Sequence, residues 1–265
     1  MTDSPTRFLI TRPYRRFAEI CRHSHNGKII GLFYGKTGLG KTESAKHYAS
    51  WHTIEPLLDK PTRTREIPAS IVGCTTAFYT PDVTVTPKKL QSGLALLRNR
   101  FEDLVAQATY WHAPQSLEPH QHKHLKLLII DEADRLKFAS LELLRDLYDR
   151  SNLSILLIGS PGIDRRLKRS GYGQLHSRFN FAYEIQPLNT DEMRLFIAQK
   201  WLELKLPLTA DDAVSSAIMA ITDGSFRRLH RIFAEIERLQ KLNCLPMITP
   251  DLIQMARRSL LLGNP

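Results

Sequence analysis

The residues Gly35-Lys36-Thr37-Gly38-Leu39-Gly40-Lys41-Thr42 follow the pattern G-x-x-x-x-G-K-T. Gly35, Gly38 and Gly40 let backbone N–H groups close around phosphate oxygens with no side chain in the way. Lys41 has the length and charge to reach the outer phosphates of a nucleoside triphosphate, and the Thr42 hydroxyl suits Mg²⁺. Lys36, Thr37 and Leu39 complete the loop. A second group, Asp131-Glu132, stands directly after the apolar run Leu127-Leu128-Ile129-Ile130. Asp131 can hold Mg²⁺ through its water shell, and Glu132 can orient and deprotonate an attacking water. Alone, such an acid pair is a weak signal; downstream of a phosphate loop it becomes a strong one.

Three further side chains have types and positions that fit the same chemistry. Ser160 ends another apolar run and can touch a γ-phosphate or the water, or it is simply a small residue in the turn before Pro161. Arg178 precedes a strand near Phe181–Ile185 and can reach a neighbouring molecule's nucleotide; Arg's fixed charge and planar fork suit phosphate. Arg227, in Gly224-Ser225-Phe226-Arg227-Arg228-Leu229, begins a helix and can lean on the nucleotide or face solvent.

These groups need elements to hold them. Ile29–Tyr34 is a short apolar strand ahead of the glycine loop, and Glu43–Ala49 is a good helix behind it, extending to about Trp51. Strand, glycine loop and helix are the context in which the motif acts. Before them, Tyr14, Phe17, Ile20 and Cys21 recur at helical spacing, with Thr11 and Pro13 at the start and Asn26-Gly27 at the end. Pro56–Pro68 has the composition of a connecting loop. Ala69–Tyr79 has the composition of a second strand. Thr86 and Pro87 open a helix whose buried stripe is Leu90, Leu94, Leu97, Phe101, Leu104 and Val105. Lys88, Lys89, Arg98 and Arg100 lie off that stripe, as a solvated face or as contacts for an anionic partner. Trp111–His124 is a polar loop; His112, His120, His122 and His124 lack an acidic or cysteine ligand beside them, which favours a solvated loop over a metal site. Leu127–Ile130 and Leu153–Gly159 are buried strands of the parallel-sheet kind, separated by a helix over Leu141–Tyr148. After Pro187 the pattern is wholly helical, with segments opening at Thr190, Thr209, Ser225 and Thr249, the last ending near Gly263.

The chain has 265 residues, 42% of them hydrophobic, and a formal net charge of +10. That balance fits a globular α/β protein with a sizeable core and a negatively charged partner, nucleic acid before membrane. No run approaches the ~18 apolar residues of a membrane span, and Met1–Pro5 lacks an apolar signal core. The three cysteines, Cys21, Cys74 and Cys244, are far apart and fit a reducing, cytoplasmic compartment.

Taken in order, Gly35–Thr42, Leu127–Glu132, Ser160, Arg178 and Gly224–Arg227 resemble the AAA+ ATPases over essentially the whole chain. The resemblance implies a P-loop fold: a five-stranded parallel sheet flanked by helices over 1–187, with a C-terminal helical lid over 188–265. It implies ATP and Mg²⁺ as ligands. Gly35–Thr42, Asp131 and Arg227 would bind nucleotide, Thr42 and Asp131 the metal, and Glu132, Ser160 and Arg178 would act in hydrolysis. Arg165 or Arg169 are alternatives for the arginine that reaches a neighbour, and Arg228 for the lid arginine. Within the family, Leu128–Leu136 and the basic balance look most like the ATPase regulators of DNA transposition, the TniB, MuB and TnsC type. Such proteins assemble head to tail on duplex DNA as filaments or rings, then recruit a transposase; CRISPR-associated transposons pair them with a TniQ-type adaptor. Thr86-Pro87-Lys88 resembles the helix start at which those filaments touch the phosphate backbone, so Lys88 leads the DNA candidates, ahead of Lys89, Arg98 and Arg100. The alternatives are a helicase-loading or replication-initiation ATPase and a signalling ATPase that scaffolds proteins without DNA.

Overall fold

The computed structural model of the chain describes residues 8–58, 67–116, 124–169, 172–203, 212–243 and 248–260. They fall into two compact units. One comprises Tyr14–Gly35 and Lys41–Glu184; the other comprises Met1–Pro13, Lys36–Gly40 and Ile185–Pro265.

The first unit is built on a five-stranded sheet: β1 (Ile30–Tyr34), β2 (Thr76–Tyr79), β3 (Leu127–Ile130), β4 (Ser154–Gly159) and β5 (Phe179–Glu184). The order is β2-β3-β4-β1-β5, and every pairing is parallel. β3 and β4 are buried along their whole length, the expected fate of unbroken apolar runs covered by helices on both faces. The chain leaves β1 for the β2 edge, returns through β3 and β4, and then passes β1 to reach β5. Such a reversal opens a crevice at the carboxyl ends of the central strands, where Gly35, Asp131 and Ser160 follow β1, β3 and β4. This is the α/β parallel-sheet fold expected from the sequence.

Helices α1 (Arg12–Asn26), α2 (Lys41–Tyr48), α3 (Trp51–Leu58), α4 (Pro87–His112), α5 (Phe138–Arg150), α6 (Ile163–Leu167) and α7 (Gly173–His176) connect or cover the strands. At the opposite end of the sheet, the buried Ser154 hydroxyl lies 2.7 Å from Ser24 O and 2.8 Å from Gly27 O and shares its one proton between these carbonyls where α1 stops. α4 starts as its sequence predicts: Pro87 is its first residue, and Thr86 Oγ1 accepts from Lys89 N at 3.3 Å.

Three expectations need correction. Ala69–Tyr79 is not one strand: Ala69–Ile71 forms a single 3₁₀ turn, and pairing begins only at Thr76. Gly73, at φ +75°, turns the chain between them, a conformation that breaks a pleated strand. The helix after the phosphate loop does not run through to Trp51. Ser50, at φ 52°, ends it, and α3 begins anew. α3 also carries Pro56 inside it, where a loop was expected; burial of Trp51 and Ile54 outweighs the lost backbone hydrogen bond.

The second unit holds α8 (Thr190–Glu203), α9 (Asp212–Thr222), α10 (Phe226–Leu242) and α11 (Pro250–Ser259). Its core includes Phe196, Trp201, Ile218, Leu229, Phe233, Ile236 and Ile253. Asn189 and Glu192 cap α8 reciprocally: Glu192 N donates to Asn189 Oδ1 at 2.8 Å, and Asn189 N to Glu192 Oε2 at 3.1 Å. Ser225 Oγ and Thr249 Oγ1 cap α10 and α11. The expected cap at Thr209, the helix end near Gly263, Cys244, and His120 with His122 lie outside the described residues. Among the described residues, no helix is long and apolar enough to cross a membrane.

Candidate active site

In the α/β unit, Gly35 N donates to Gly159 O at 3.2 Å, tying the start of the loop to the end of β4. Lys41 Nζ donates to Gly35 O at 2.6 Å, tying the start of α2 to the end of β1. Thr42 Oγ1, in the first turn of α2, donates to Asp131 Oδ2 at 2.7 Å. Asp131 is 4% exposed, and its other carboxylate oxygen accepts from Glu132 N at 2.9 Å. Glu132 itself sits at φ 49°, ψ 41°, in the left-handed region. For a non-glycine residue this costs on the order of 1–3 kcal/mol, and such strain persists only where the surroundings over-determine it. Ser160, one residue past β4, donates its N–H to Asp134 Oδ2 at 2.6 Å.

In the helical unit, residues Lys36–Gly40 meet the start of α10. Gly38 O accepts from Arg227 N at 3.2 Å and from Ser225 Oγ at 3.4 Å. Gly38 lies at φ +87°, and a Cβ there would come within 2.8 Å of Arg227 Cβ and Ser225 Oγ. Only glycine meets both demands, the backbone conformation and the close approach. Leu39 is buried, whereas Lys36, Thr37, Arg227 and Arg228 are exposed.

The donor set fits a magnesium nucleotide. Mg²⁺ takes oxygen ligands, usually through one or two carboxylates together with substrate phosphates. A hydroxyl in the first turn of α2 and a buried carboxylate at the end of β3, 2.7 Å apart, provide such oxygens. The positive-φ glycines Gly38 and Gly40 keep the loop free of side chains where phosphate oxygens would lie.

A family model described as "AAA domain" matches residues 24–167. The chain belongs to the AAA+ ATPase family. It is 35% identical over 269 residues to a "Potential ATP-binding protein" of Staphylococcus aureus, covering 97% of each chain. Its fold is similar to the RuvB Holliday junction branch migration motor of Thermotoga maritima, with TM-score 0.58 and 18% identity, over 98% of this chain and 72% of that one. It is also similar to the Aeropyrum pernix ORC1 protein in complex with DNA, with TM-score 0.59 and 15% identity, over 95% of this chain and 66% of that one.

The remaining predicted residues of this AAA+ chain take separate places. Arg178, immediately before β5, donates from Nε to Asp149 Oδ1 at 3.0 Å. The guanidinium holds the Asp149 carboxyl below its ordinary range. Arg165 and Arg169 are exposed around α6, but Arg166 between them is turned inward. Lys88, Lys89 and Arg100 are exposed on α4. Arg98 is half-buried and lines a cavity of about 340 Å³ with Lys28 and Lys126. Residues just ahead of β1, β3 and β4 line the same cavity, which places it at the end of the sheet away from Asp131.

Two site residues escape a reading of the sequence. Asp134 is the third acid of Asp131-Glu132-Ala133-Asp134, and its spacing hints at a role without giving one. Arg166 is one cation among Arg165, Arg166, Lys168 and Arg169, and nothing local separates it from its neighbours; only burial does.

Proposed function

We propose that the chain is an ATP hydrolase that uses nucleotide state to control its assembly on duplex DNA, acting as a regulator of DNA transposition. The observation that carries the ATPase reading is the junction at the ends of β1 and β3. There the phosphate loop reaches a buried carboxylate through Thr42 and Asp131, and the next residue, Glu132, is held in a strained conformation. Lys41 would bind the outer phosphates, and Ser160 would contact the γ-phosphate. Mg²⁺ held by Thr42 and Asp131 would neutralise charge developing on the phosphates. Glu132 takes a proton from the attacking water as the water adds to the γ-phosphorus. The bond to the bridging oxygen then breaks, and ADP and phosphate leave.

Arg227 is the lid arginine of this reading, and residues 188–265 are the lid. Arg178, or Arg165 or Arg169, is the arginine that would reach a neighbouring subunit's nucleotide. An arginine that meets the γ-phosphate only in the ATP state links hydrolysis to disassembly. The net charge of +10 and the exposed Lys88 and Lys89 support sequence-independent phosphate contacts. The start of α4 and the stretch Leu128–Leu136 support the transposition reading, with a transposase and a TniQ-type adaptor as partners. The likeness to the DNA-bound ORC1 protein favours a second reading, a replication-initiation or helicase-loading ATPase.

Fluorescence anisotropy of a labelled random duplex tests the core of the proposal, with a non-hydrolysable ATP analogue and with ADP at two salt concentrations. Tight, cooperative and salt-sensitive binding with the analogue alone is expected. No binding in either state discards the DNA reading in favour of a protein scaffold. Capture of a replicative helicase instead of a transposase by the tagged chain favours the second reading.

A further inference from the structure

Glu132 is the residue on which hydrolysis turns in the reading above, and its backbone, like that of Ser50, is held at positive φ in the α/β unit. The turn that follows it, Ala133–Arg135, is a single 3₁₀ turn closed by Arg135 N on Glu132 O at 3.0 Å. One turn of this kind holds little by itself. Its other partners come from distant parts of the sequence.

Arg166 lies in α6, a short helix that starts after Gly162 and packs Ile163 and Leu167 into the core. Its guanidinium spreads over that turn. Nη1 donates to Asp134 O at 3.0 Å, while Nη2 donates to Ala133 O at 3.3 Å and to Leu136 O at 3.2 Å. Three main-chain carbonyls within four residues of Glu132 are therefore gathered by one side chain. The Asp134 carboxylate completes the link from the other side by accepting Ser160 N–H at 2.6 Å. Space there is tight: a Cβ on Gly159 would lie 3.1 Å from Asp134 Oδ2 and 2.9 Å from Ile163 Cδ1. Arg135 adds a bond from Nη1 to Pro81 O at 2.8 Å.

We propose that Arg166 is a positioning residue for hydrolysis: by clamping the carbonyls of Ala133, Asp134 and Leu136, it fixes the turn that sets the Glu132 carboxylate and, through Asp134, the Ser160 backbone. The inference rests on the general-base reading of Glu132. A flat, rigid fork with several N–H donors is what the three carbonyls require. Lysine, a point charge on a flexible stem, cannot reproduce that span. A carbonyl clamp touches neither phosphate nor metal ligands, so its loss should act on the chemical step and leave nucleotide binding in place.

The test compares steady-state ATP hydrolysis by the full chain with the affinity for a non-hydrolysable ATP analogue. The variants are Arg166→Met, Arg166→Lys and Glu132→Gln, each first checked for cooperative thermal unfolding. Arg166→Met is expected to lower kcat roughly tenfold or more, approaching the about 100-fold cost of an ångström of misplacement. KM and analogue affinity should stay within about twofold, because uniform binding is untouched. Arg166→Lys should recover only part of kcat. Should Arg166→Met fail to fold, Arg166→Lys carries the same test. A kcat within about twofold of wild type in the folded Arg166 variant, with Glu132→Gln inactive, overturns the clamp while leaving Glu132 as the base. Loss of analogue binding in parallel with kcat also overturns it, because the role is then structural. Turnover retained by Glu132→Gln removes the general-base reading itself, whatever Arg166 does.

Discussion

Thr42 and Asp131 lie 89 positions apart in sequence and 2.7 Å apart in space. A hydroxyl donating to a carboxylate is a pre-formed arrangement of metal ligands, and it leads to a discriminating variant. Asp131→Asn keeps an oxygen to accept from Glu132 N and turns its NH₂ to the Thr42 hydroxyl, which can accept it, so the fold should survive, but it removes the charge that holds the metal. Nucleotide affinity measured with Mg²⁺ should fall about tenfold or more, while affinity in EDTA should hardly change. Equal losses under both conditions would show that Asp131 serves the fold and not the metal. A different carboxylate links stability to pH in the helical unit. Glu235 accepts from Arg238 Nη2 at 2.6 Å, from Arg238 Nε at 2.9 Å and from Ser259 Oγ at 2.6 Å. The Arg238 hydrogen bonds, aided by Ser259, pull its pKa from the ordinary 4.5 down to about 2. A depressed carboxylate contributes stability that is complete above its unfolded value and is lost as pH falls towards its folded one. Urea denaturation of wild type should therefore show a stability loss between about pH 4.5 and pH 2 that Glu235→Gln lacks. Parallel pH profiles for the two proteins would remove Glu235 from that role.

At the scale of elements, the junction before α10 is a close approach of two backbone segments in the helical unit. Gly224 sits at φ +65°, its carbonyl accepts from Leu188 N at 3.1 Å, and a Cβ on it would fall 2.5 Å from Leu188 O. Backbone cannot yield as a side-chain tip can. Gly224→Ala should thus cost more than about 2 kcal/mol of unfolding free energy, the sum of left-handed strain and a backbone clash. Chemical denaturation measures it; a change under about 0.5 kcal/mol would mean that the junction relaxes freely. Helix starts of this kind were legible: Thr86, Ser225 and Thr249 carry their caps in their own side chains and act within one turn. The strands β3 and β4 were legible because an unbroken apolar run buried on both faces has few other uses. β2 was read too long because β-branched residues on either side of Gly73 share one composition, while a single positive φ decides the geometry. The phosphate loop and the acid pair were legible because the spacing of residue types is itself the chemistry. The Asp134–Ser160 bond and the Arg166 clamp were not, because they depend on which side chains the finished fold turns inward.

For the whole molecule, charge distribution matters more than total charge. α4 has 26 residues, about 39 Å at 1.5 Å per residue, and its cations do not share one surface. Lys88 and Lys89 stand exposed at its start, which follows β2 on the side of the sheet where Asp131 lies. Arg98 is about 15 Å further along and faces the cavity it shares with Lys28 and Lys126. If duplex DNA runs past the nucleotide end of the sheet, Lys88 and Lys89 should each neutralise a phosphate, and Arg98 should not. Lys88→Ala and Lys89→Ala should each reduce the slope of log affinity against log salt by about 1, uniformly across duplex sequences. Arg98→Ala should leave the slope unchanged. Anisotropy titrations over a range of salt, with the ATP analogue present, give all three slopes. A sequence-dependent loss for Lys88→Ala would contradict a backbone contact. A slope reduced only by Arg98→Ala would move the DNA path to the opposite end of the sheet, away from the groups that sense the nucleotide, and would separate DNA binding from hydrolysis.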